Sequence, residues 1–172
     1  RKGKRKPVVF PALREYCFET YKTIQFDNLE ADDVMGILAT GGIKKIKGKK
    51  IIVSEDKDMR TIPGYLYNPN KSEEGVQCLT KKEADRNHLF QALTGDVTDG
   101  YSGCPGVGPK TAEKILEEGT WEEVMSAYEK KGMTVEEALT QARVARILRA
   151  GEFVVKTGAV KHWNPECLEL ST

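Results

Sequence analysis

The hydrophobic pattern of the first eighty residues alternates between helical and extended segments. In residues 11–22, apolar side chains recur every four positions behind a proline, which predicts a helix. The run TIQF (23–26) predicts a short strand, and residues 27–40 place their apolar side chains on one helical face. The pair Gly41-Gly42 then predicts the end of this second helix.

Three further segments of this half have strand patterns. KKIIVS (49–54) carries three apolar residues in a row without polar alternation, which is typical of a parallel strand covered on both faces. GYLYN (64–68) and VQCLT (76–80) predict two more short strands. The alternation of strands and helices favours an α/β fold, with an open, mostly parallel sheet flanked by helices.

The second half of the chain has a helical pattern. KKEADRNHLFQALTGD (81–96) predicts one helix, and PKTAEKILEEG (109–119) predicts another after a glycine-rich turn. Thr120 and Thr134 each precede a glutamate by three positions, which is the pattern of a capping box at a helix start. The last helix is predicted to run as far as Gly151, with basic residues in its final turns.

The composition excludes several classes of protein. The 172 residues are 39% hydrophobic and 31% charged, which is typical of a soluble globular protein. No apolar run approaches the roughly 20 residues of a membrane span, so no membrane association is expected. The four cysteines are scattered, with no histidine at ligand spacing. They predict reduced thiols of a cytoplasmic protein rather than a zinc site or a disulfide framework.

Charge is unevenly distributed although the net charge is only +1. RKGKRK (1–6) holds five basic residues and KKIKGKK (44–50) holds five lysines, whereas acids gather in three separate clusters. A single lysine run is usually a solvated loop. Two basic runs beside three acid clusters favour a protein that binds a polyanion close to metal ions.

The acid clusters fall where a sheet and its turns can gather them. Glu30 and Asp32 lie at a strand-to-helix junction, Asp56 and Asp58 follow a strand, and Asp96 and Asp99 lie in a turn between helices. Oxygen ligands without soft partners suit magnesium or manganese. For any one cluster, helix capping or turn formation is the simpler explanation. Three clusters in one chain favour a metal site.

The segment GVGPKTAEKIL has the features of an anion-binding turn. Gly106 and Gly108 are predicted to allow positive φ and close backbone approach, and Pro109 suits the first helical position. The amides at the helix start and Lys110 would attract an anion. The turn therefore predicts contact with a DNA phosphate backbone without reading of bases, and a plain helix-to-helix turn is the alternative.

Four motifs in this order resemble the 5′-nuclease (flap endonuclease) family, in particular the 5′→3′ exonucleases of short-tailed bacteriophages. They are LEADDVMG, IIVSEDKDMRTIP, GDVTDGYSGCPGVGPKTAEKIL and, more weakly, ARILR. The resemblance implies a 5′-nuclease or PIN-like α/β fold. Residues 1–80 would form the carboxyl-side part of its nuclease core, together with the end of a helical arch. For residues 81–172 the resemblance implies a helical part that binds DNA. This part would contain a helix–three-turn–helix motif at about 95–118.

The resemblance also implies roles for individual residues. Glu30 and Asp32, with Asp33, are similar to ligands of a first metal ion. Asp56, Asp58 and Asp99 are similar to ligands of a second ion, with Asp96 in support. Glu30, Asp32, Asp56, Asp58 and Asp99 would be the catalytic set. The cofactors implied are two Mg²⁺ ions, for which Mn²⁺ can substitute, and a potassium ion held by the backbone of Gly103, Gly106 and Gly108. The DNA contacts implied are Arg1, Lys2, Lys4, Gly106, Gly108, Lys110 and Thr111. Gly100 and Tyr101 depart from the family's commoner Asn-Ile.

The function implied is hydrolysis of phosphodiesters from a 5′ end or flap, by two metal ions, in phage DNA replication or recombination in the host cytoplasm. The substrate would be DNA, or RNA in a DNA hybrid. The family's first metal site also takes two aspartates from an amino-terminal region that nothing here matches, so we expect a fragment that binds duplex with little or no flap cleavage. A non-catalytic DNA- and metal-binding remnant and a carboxylate nuclease acting mainly on RNA are the alternatives.

Overall fold

The computed structural model describes residues 6–44 and 46–165. Its α-helices are α1 (Phe10–Thr20), α2 (Ala31–Ala39), α3 (Lys81–Thr94), α4 (Pro109–Ile115), α5 (Trp121–Glu129) and α6 (Val135–Val144). Its strands are β1 (Ile51–Val53), β2 (Gly64–Tyr67), β3 (Val76–Leu79), β4 (Phe153–Val154) and β5 (Ala159–Val160). Two 3₁₀ helices lie at Lys57–Thr61 and Pro69–Glu74. Across these two stretches, no helix is both long and apolar enough to cross a membrane.

The main sheet has the strand order β1-β2-β3. Strand β1 pairs with β2 in parallel, with Ile52 opposite Leu66, and β2 pairs with β3 in the antiparallel direction, with Leu66 opposite Gln77. The α/β class and these strands are as predicted, and the described sheet contains one parallel and one antiparallel pair. Residues 23–26 form no strand, and they link α1 to α2 without regular structure.

Strand β1 differs from the prediction in its burial. Only Ile52 is buried, whereas Ile51 is 44% exposed and Val53 is 60% exposed. The expectation of a strand covered on both faces is therefore wrong for the described residues. The apolar run lies at the edge of the sheet, where one face packs on the core and the other is open.

Three helices begin at complete capping boxes. Thr80, Thr120 and Thr134 each accept a hydrogen bond from the backbone N–H of the glutamate three positions later. That glutamate in turn accepts from the backbone N–H of the threonine. The predicted helix starts at Thr120 and Thr134 are confirmed, because two otherwise unpaired donors are satisfied at each start.

Two hydrophobic clusters form the interior. One lies under the sheet and includes Ile52, Met59 and Leu66, with Ile147 packed against it. The other joins α3, α4, α5 and α6, and at its centre the fully buried Tyr128 donates a hydrogen bond to the backbone oxygen of Ala92. Helix α3 contacts both the 3₁₀ helix at Lys57–Thr61 and α6, so it lies between the two clusters.

Helix α6 ends at Val144, seven residues before the predicted end at Gly151. The following chain leaves the helix because its backbone is bound elsewhere. The N–H of Leu148 donates to the Asp33 carboxylate at 3.0 Å, and the N–H of Ala150 donates to the Thr40 hydroxyl at 2.7 Å. We call residues 146–150 the tether, because these bonds fasten α2 to the chain after α6.

The tether also requires a glycine on α2 and buries an arginine. A Cβ at Gly36 would collide with the carbonyl oxygen of Leu148. The Arg149 side chain is buried and donates to the Asp85 carboxylate and to the backbone oxygen of Thr61, both at 2.6 Å. Through the tether, these contacts hold α2 close to α3 and to the 3₁₀ helix at Lys57–Thr61.

Candidate metal centre

The first pair of aspartates follows β1 directly. The Asp56 carboxylate caps the 3₁₀ helix by accepting a hydrogen bond from the N–H of Asp58 at 2.9 Å. The N–H of Asp56 donates to the Ser54 hydroxyl at 3.1 Å. The Asp56 carboxylate therefore serves as a helix cap. The Asp58 side chain points towards α3, where Gln91 donates a hydrogen bond to it.

The second pair lies in the tight turn after α3. The Asp96 carboxylate accepts from the N–H of Thr98 at 2.7 Å and from the N–H of Asp99 at 3.4 Å, and the backbone of Asp96 pairs with that of Tyr101. Gly103 has φ +65°, and a Cβ there would collide with the backbone of Gly95. Close contact of two glycines thus closes the loop that presents Asp96 and Asp99.

These two turns bring three carboxylates together. One oxygen from each of Asp58, Asp96 and Asp99 lies within 4.8 Å of the other two. Divalent ions bind carboxylate oxygens at about 2.0–2.6 Å, so oxygens on opposite sides of an ion are about 4–5 Å apart. The spacing and the all-oxygen donor set therefore fit a hard divalent ion, with room for further ligands.

The acids of α2 line the same cleft. A cleft of about 310 Å³ is lined by carboxylates from three segments, namely Glu30, Asp32, Asp33, Asp58 and Asp99. Asp33 also binds the tether, so its carboxylate has a structural partner. Asp56 is outside both the three-residue group and the cleft lining, in a neighbouring groove beside Arg60. The structure thus gathers the predicted acids around one region, and Asp56 lies at its margin, near enough for its charge to act on Asp32 and Asp58.

Burial and mutual repulsion perturb two of these acids. Burial, followed by the charges of Asp56 and Glu30, raises the pKa of Asp32. Burial, followed by the charge of Asp56, raises the pKa of Asp58 to about 6. A metal ion would offset this repulsion, because a bound cation favours the ionised form of each carboxylate.

One lysine compensates part of the negative charge. The ammonium of Lys57 contacts the Asp96 carboxylate at 2.7 Å, and this hydrogen bond lowers the pKa of Asp96. The same contact raises the pKa of Lys57. Lys57 is 71% exposed as a side chain, so the pair is screened by solvent and can rearrange.

Sequence reasoning missed three other residues that line the cleft: Gln91, Tyr101 and Arg146. Gln91 lies on a helix with no motif, and Arg146 lies in the weaker motif ARILR, for which no site role is predicted. Tyr101 was noted only as a departure from the family pattern. It is buried, and burial together with the charges of Asp58 and Asp96 raises its pKa, so its hydroxyl keeps its proton at neutral pH.

The glycine turn differs from the prediction at one position. Gly106 has φ +73°, as expected, but Gly108 has φ −90° and caps α4, so the expected positive φ at Gly108 is wrong. A Cβ at Gly108 would meet no atom within 4 Å, so the protein itself does not require glycine there. Pro109 occupies the start of α4, and Lys110 and Thr111 are exposed.

A groove of about 550 Å³ adjoins this turn. Gly106 and Thr111 line one part of it, and the basic side chains of Lys114, Lys130 and Lys131 line another. Among the other predicted DNA contacts, Arg1, Lys2 and Lys4 lie outside the described residues. The described residues thus place a basic surface around α4 and the end of α5, beside Glu122 and Glu123 of the same groove.

Comparison with known proteins identifies the relatives of the chain. It is 32% identical over 201 residues to an exodeoxyribonuclease of Enterobacteria phage T3 and 32% identical over 203 residues to an exonuclease of Escherichia phage T7. Each match covers 96% of this chain and 66% of the relative. No protein-family model matches the chain.

Solved structures show the same fold. A flap endonuclease of phage T5 in complex with DNA and metal ions matches with a TM-score of 0.59 and 19% identity, over 77% of this chain and 56% of that one. A T5 5′-exonuclease matches with a TM-score of 0.57 and 18% identity, over 79% and 64%. The chain belongs to the 5′-nuclease family, close to the phage exonucleases, and it spans 66% of the length of the T3 and T7 relatives.

Proposed function

We propose that this chain carries the metal site and part of the DNA-binding surface of a structure-dependent 5′→3′ exonuclease and flap endonuclease. The observation that carries the proposal is the group of Asp58, Asp96 and Asp99, whose oxygens lie within 4.8 Å of one another. The names of the T3 and T7 relatives, an exodeoxyribonuclease and an exonuclease, support the reaction type.

Two Mg²⁺ ions, with Mn²⁺ as a substitute, are the proposed cofactors. When bound, such ions activate water and stabilise the leaving oxygen of a phosphodiester. Asp58, Asp96 and Asp99 would hold one ion, with Asp56 adding negative charge from the neighbouring turn. Glu30 and Asp32 would hold the other, and Asp33 would keep the start of α2 in place through its bond to the tether.

The polypeptide contributes position and charge to this chemistry. The tether fastens α2, and the glycine contact between Gly95 and Gly103 fixes the Asp96–Asp99 turn, so contacts within the polypeptide bring the carboxylates together. Such preorganisation avoids the cost of gathering like charges during each turnover. The cleft would accept the phosphate at the 5′ end, because the bound cations invert the local charge.

We propose that duplex DNA binds to the glycine turn and the adjacent lysine groove. The open space at Gly108, Lys110 beside it and the lysines of the groove suit a phosphate backbone, and none of them presents a pattern for reading bases. Thr111 would add a contact. The carbonyl groups of Gly103, Gly106 and Gly108 would hold a potassium ion against the phosphate.

The finer assignments belong to the same proposal. Residues 1–80 would form the carboxyl-side part of the nuclease core and residues 81–172 the helical DNA-binding part. Arg1, Lys2 and Lys4 would contact the single strand at the end of an arch. The protein would act in the cytoplasm of the phage's host on DNA, with RNA in a DNA hybrid as a further substrate. A non-catalytic remnant is less favoured, since the relatives carry exonuclease names.

The test is hydrolysis of a labelled 5′-flap duplex with and without Mg²⁺. We expect Mg²⁺-dependent release of 5′ products that disappears in Asp58→Asn, while duplex binding in EDTA is unchanged. Matched DNA and RNA flaps give the substrate preference, and the ratio of cleavage to binding checks the expectation of little or no cleavage beside intact binding. Hydrolysis that is independent of Mg²⁺, or equal in Asp58→Asn, would refute the proposal.

A further inference from the structure

A single amide side chain connects helix α3 to the metal-ligand group. The Nε2 of Gln91 donates a hydrogen bond to Oδ1 of Asp58, across 33 residues of sequence. Gln91 lines the acid cleft together with Asp58 and Asp99. The Asp58 carboxylate, in the first turn of the 3₁₀ helix, can rotate about two side-chain bonds, so an external donor to one oxygen restricts the direction of the other.

The other end of the amide indicates why glutamine is present. The Oε1 of Gln91 is buried and has no hydrogen-bond partner among the described residues. A buried polar atom without a partner costs about 1–3 kcal/mol, so methionine, of similar length, would fill the site more favourably if packing were its only role. The N–H donor is therefore the property that distinguishes glutamine here.

A neighbouring residue provides an internal comparison. Asn87 lies one turn earlier on α3, and its Nδ2 donates to the backbone oxygen of Arg60 at 3.0 Å. Both amides thus bind the same 3₁₀ segment, but Asn87 holds its backbone and Gln91 holds the carboxylate. Loss of the Asn87 contact would therefore weaken the attachment of the segment to α3, whereas loss of the Gln91 contact would change the orientation of the Asp58 carboxylate.

We propose that Gln91 is a positioning residue, which holds Oδ1 of Asp58 so that the second carboxylate oxygen faces Asp96 and Asp99 as a ligand for a divalent ion. This inference rests on the metal site proposed above. It assigns to an uncharged side chain on α3 a part in setting the affinity for the ion. Loss of a group that orients a metal ligand typically weakens metal affinity about 10–100-fold.

In the experiment, the full 172-residue chain is titrated with Mn²⁺. Binding is measured by calorimetry and by the electron paramagnetic resonance signal of the free ion. Gln91→Met keeps the length and removes the donor, and we expect its Mn²⁺ affinity to fall by about tenfold or more. The matched control Asn87→Leu loses a bond to the same segment, and we expect it to keep the wild-type affinity. Circular dichroism and thermal melting in EDTA report whether each variant is folded.

A double-mutant cycle distinguishes orientation of Asp58 from a general structural effect. If Gln91 acts through Asp58, Gln91→Met should weaken Mn²⁺ binding little or not at all in the Asp58→Asn background. Equal affinity of Gln91→Met and wild type, an equal loss in Asn87→Leu, or additive losses in the cycle would overturn the inference while leaving the metal site intact. A wild-type chain that binds no Mn²⁺ would overturn the metal site and this inference together.

Discussion

The ionised Asp58 carboxylate lowers the stability of the folded chain. Replacing it with an uncharged side chain should therefore stabilise the metal-free protein. Burial and the charge of Asp56 raise its pKa from the ordinary 3.8 to about 6. The folded state thus binds this proton more tightly than the unfolded state does. Stability contributed by the protonated carboxyl is present below pH 4 and is lost as the pH rises to about 6.

The magnitude follows from that pKa. Each pKa unit corresponds to about 1.4 kcal/mol, which sets an upper bound of about 3 kcal/mol for the cost of ionised Asp58. Asp58 is only partly buried, and solvent screening reduces this to about 1–2 kcal/mol. Asp58→Asn keeps an oxygen that can accept from Gln91, so the charge is the main quantity that changes.

Urea denaturation in EDTA measures the effect. At pH 8 we expect Asp58→Asn to raise the free energy of unfolding by about 1–2 kcal/mol, and at pH 4 we expect the two proteins to be nearly equal. The control is Asp27→Asn, because Asp27 is exposed and its side chain has no hydrogen bond or ion pair in the described part of the chain. Added Mn²⁺ should reverse the order, since only the wild type retains the full ligand set. A variant less stable than the wild type at pH 8 in EDTA would refute the reasoning.

Three other perturbations have defined outcomes. Asp99→Asn should weaken Mn²⁺ binding in calorimetry by about tenfold or more, and more than Asp56→Asn, because the Asp56 carboxylate is already engaged as a cap; equal losses would argue for a different ligand set. Lys110→Ala should weaken duplex binding alike for unrelated sequences and lower the slope of log affinity against log salt by about one; a sequence-dependent loss would exclude a phosphate contact. Gly108→Ala should leave the melting temperature nearly unchanged, whereas Gly103→Ala should destabilise by about 3 kcal/mol or more, because it combines positive φ with a backbone collision; similar melting temperatures for the two variants would contradict this explanation.

Local sequence signals predicted much of the fold. The capping boxes at Thr120 and Thr134 and the strands at 64–68 and 76–80 depend on neighbouring residues, and the structure has them where they were predicted. The end of α6 was missed because it depends on Asp33, more than a hundred residues away. Tertiary hydrogen bonds decided the conformation of a segment whose own residues favour a helix.

In the candidate site, too, local sequence patterns predicted some residues, whereas tertiary contacts decided the others. Aspartates in turns could be found from spacing, and Asp58, Asp96 and Asp99 lie together in the structure. The Asp56 carboxylate caps the 3₁₀ helix, and spacing alone does not determine which of the two aspartates takes this role. Gln91 has no sequence signal at all, because its contact with Asp58 joins two elements that only the folded chain brings together.

The tether makes the two walls of the acid cleft unequal in their resistance to local unfolding. Asp58, Asp96 and Asp99 lie on turns that flank α3, a helix that packs into one hydrophobic cluster and contacts the 3₁₀ helix at Lys57–Thr61. Glu30 and Asp32 begin a nine-residue helix that packs on the cluster under the sheet and is fastened by hydrogen bonds to residues 146–150. A break in the chain after α6, or transient release of this segment, would loosen α2 before the opposite wall unfolded. The cleft would then open from one side, and proteolytic nicking near Ile147 would separate the two sets of carboxylates before global unfolding began.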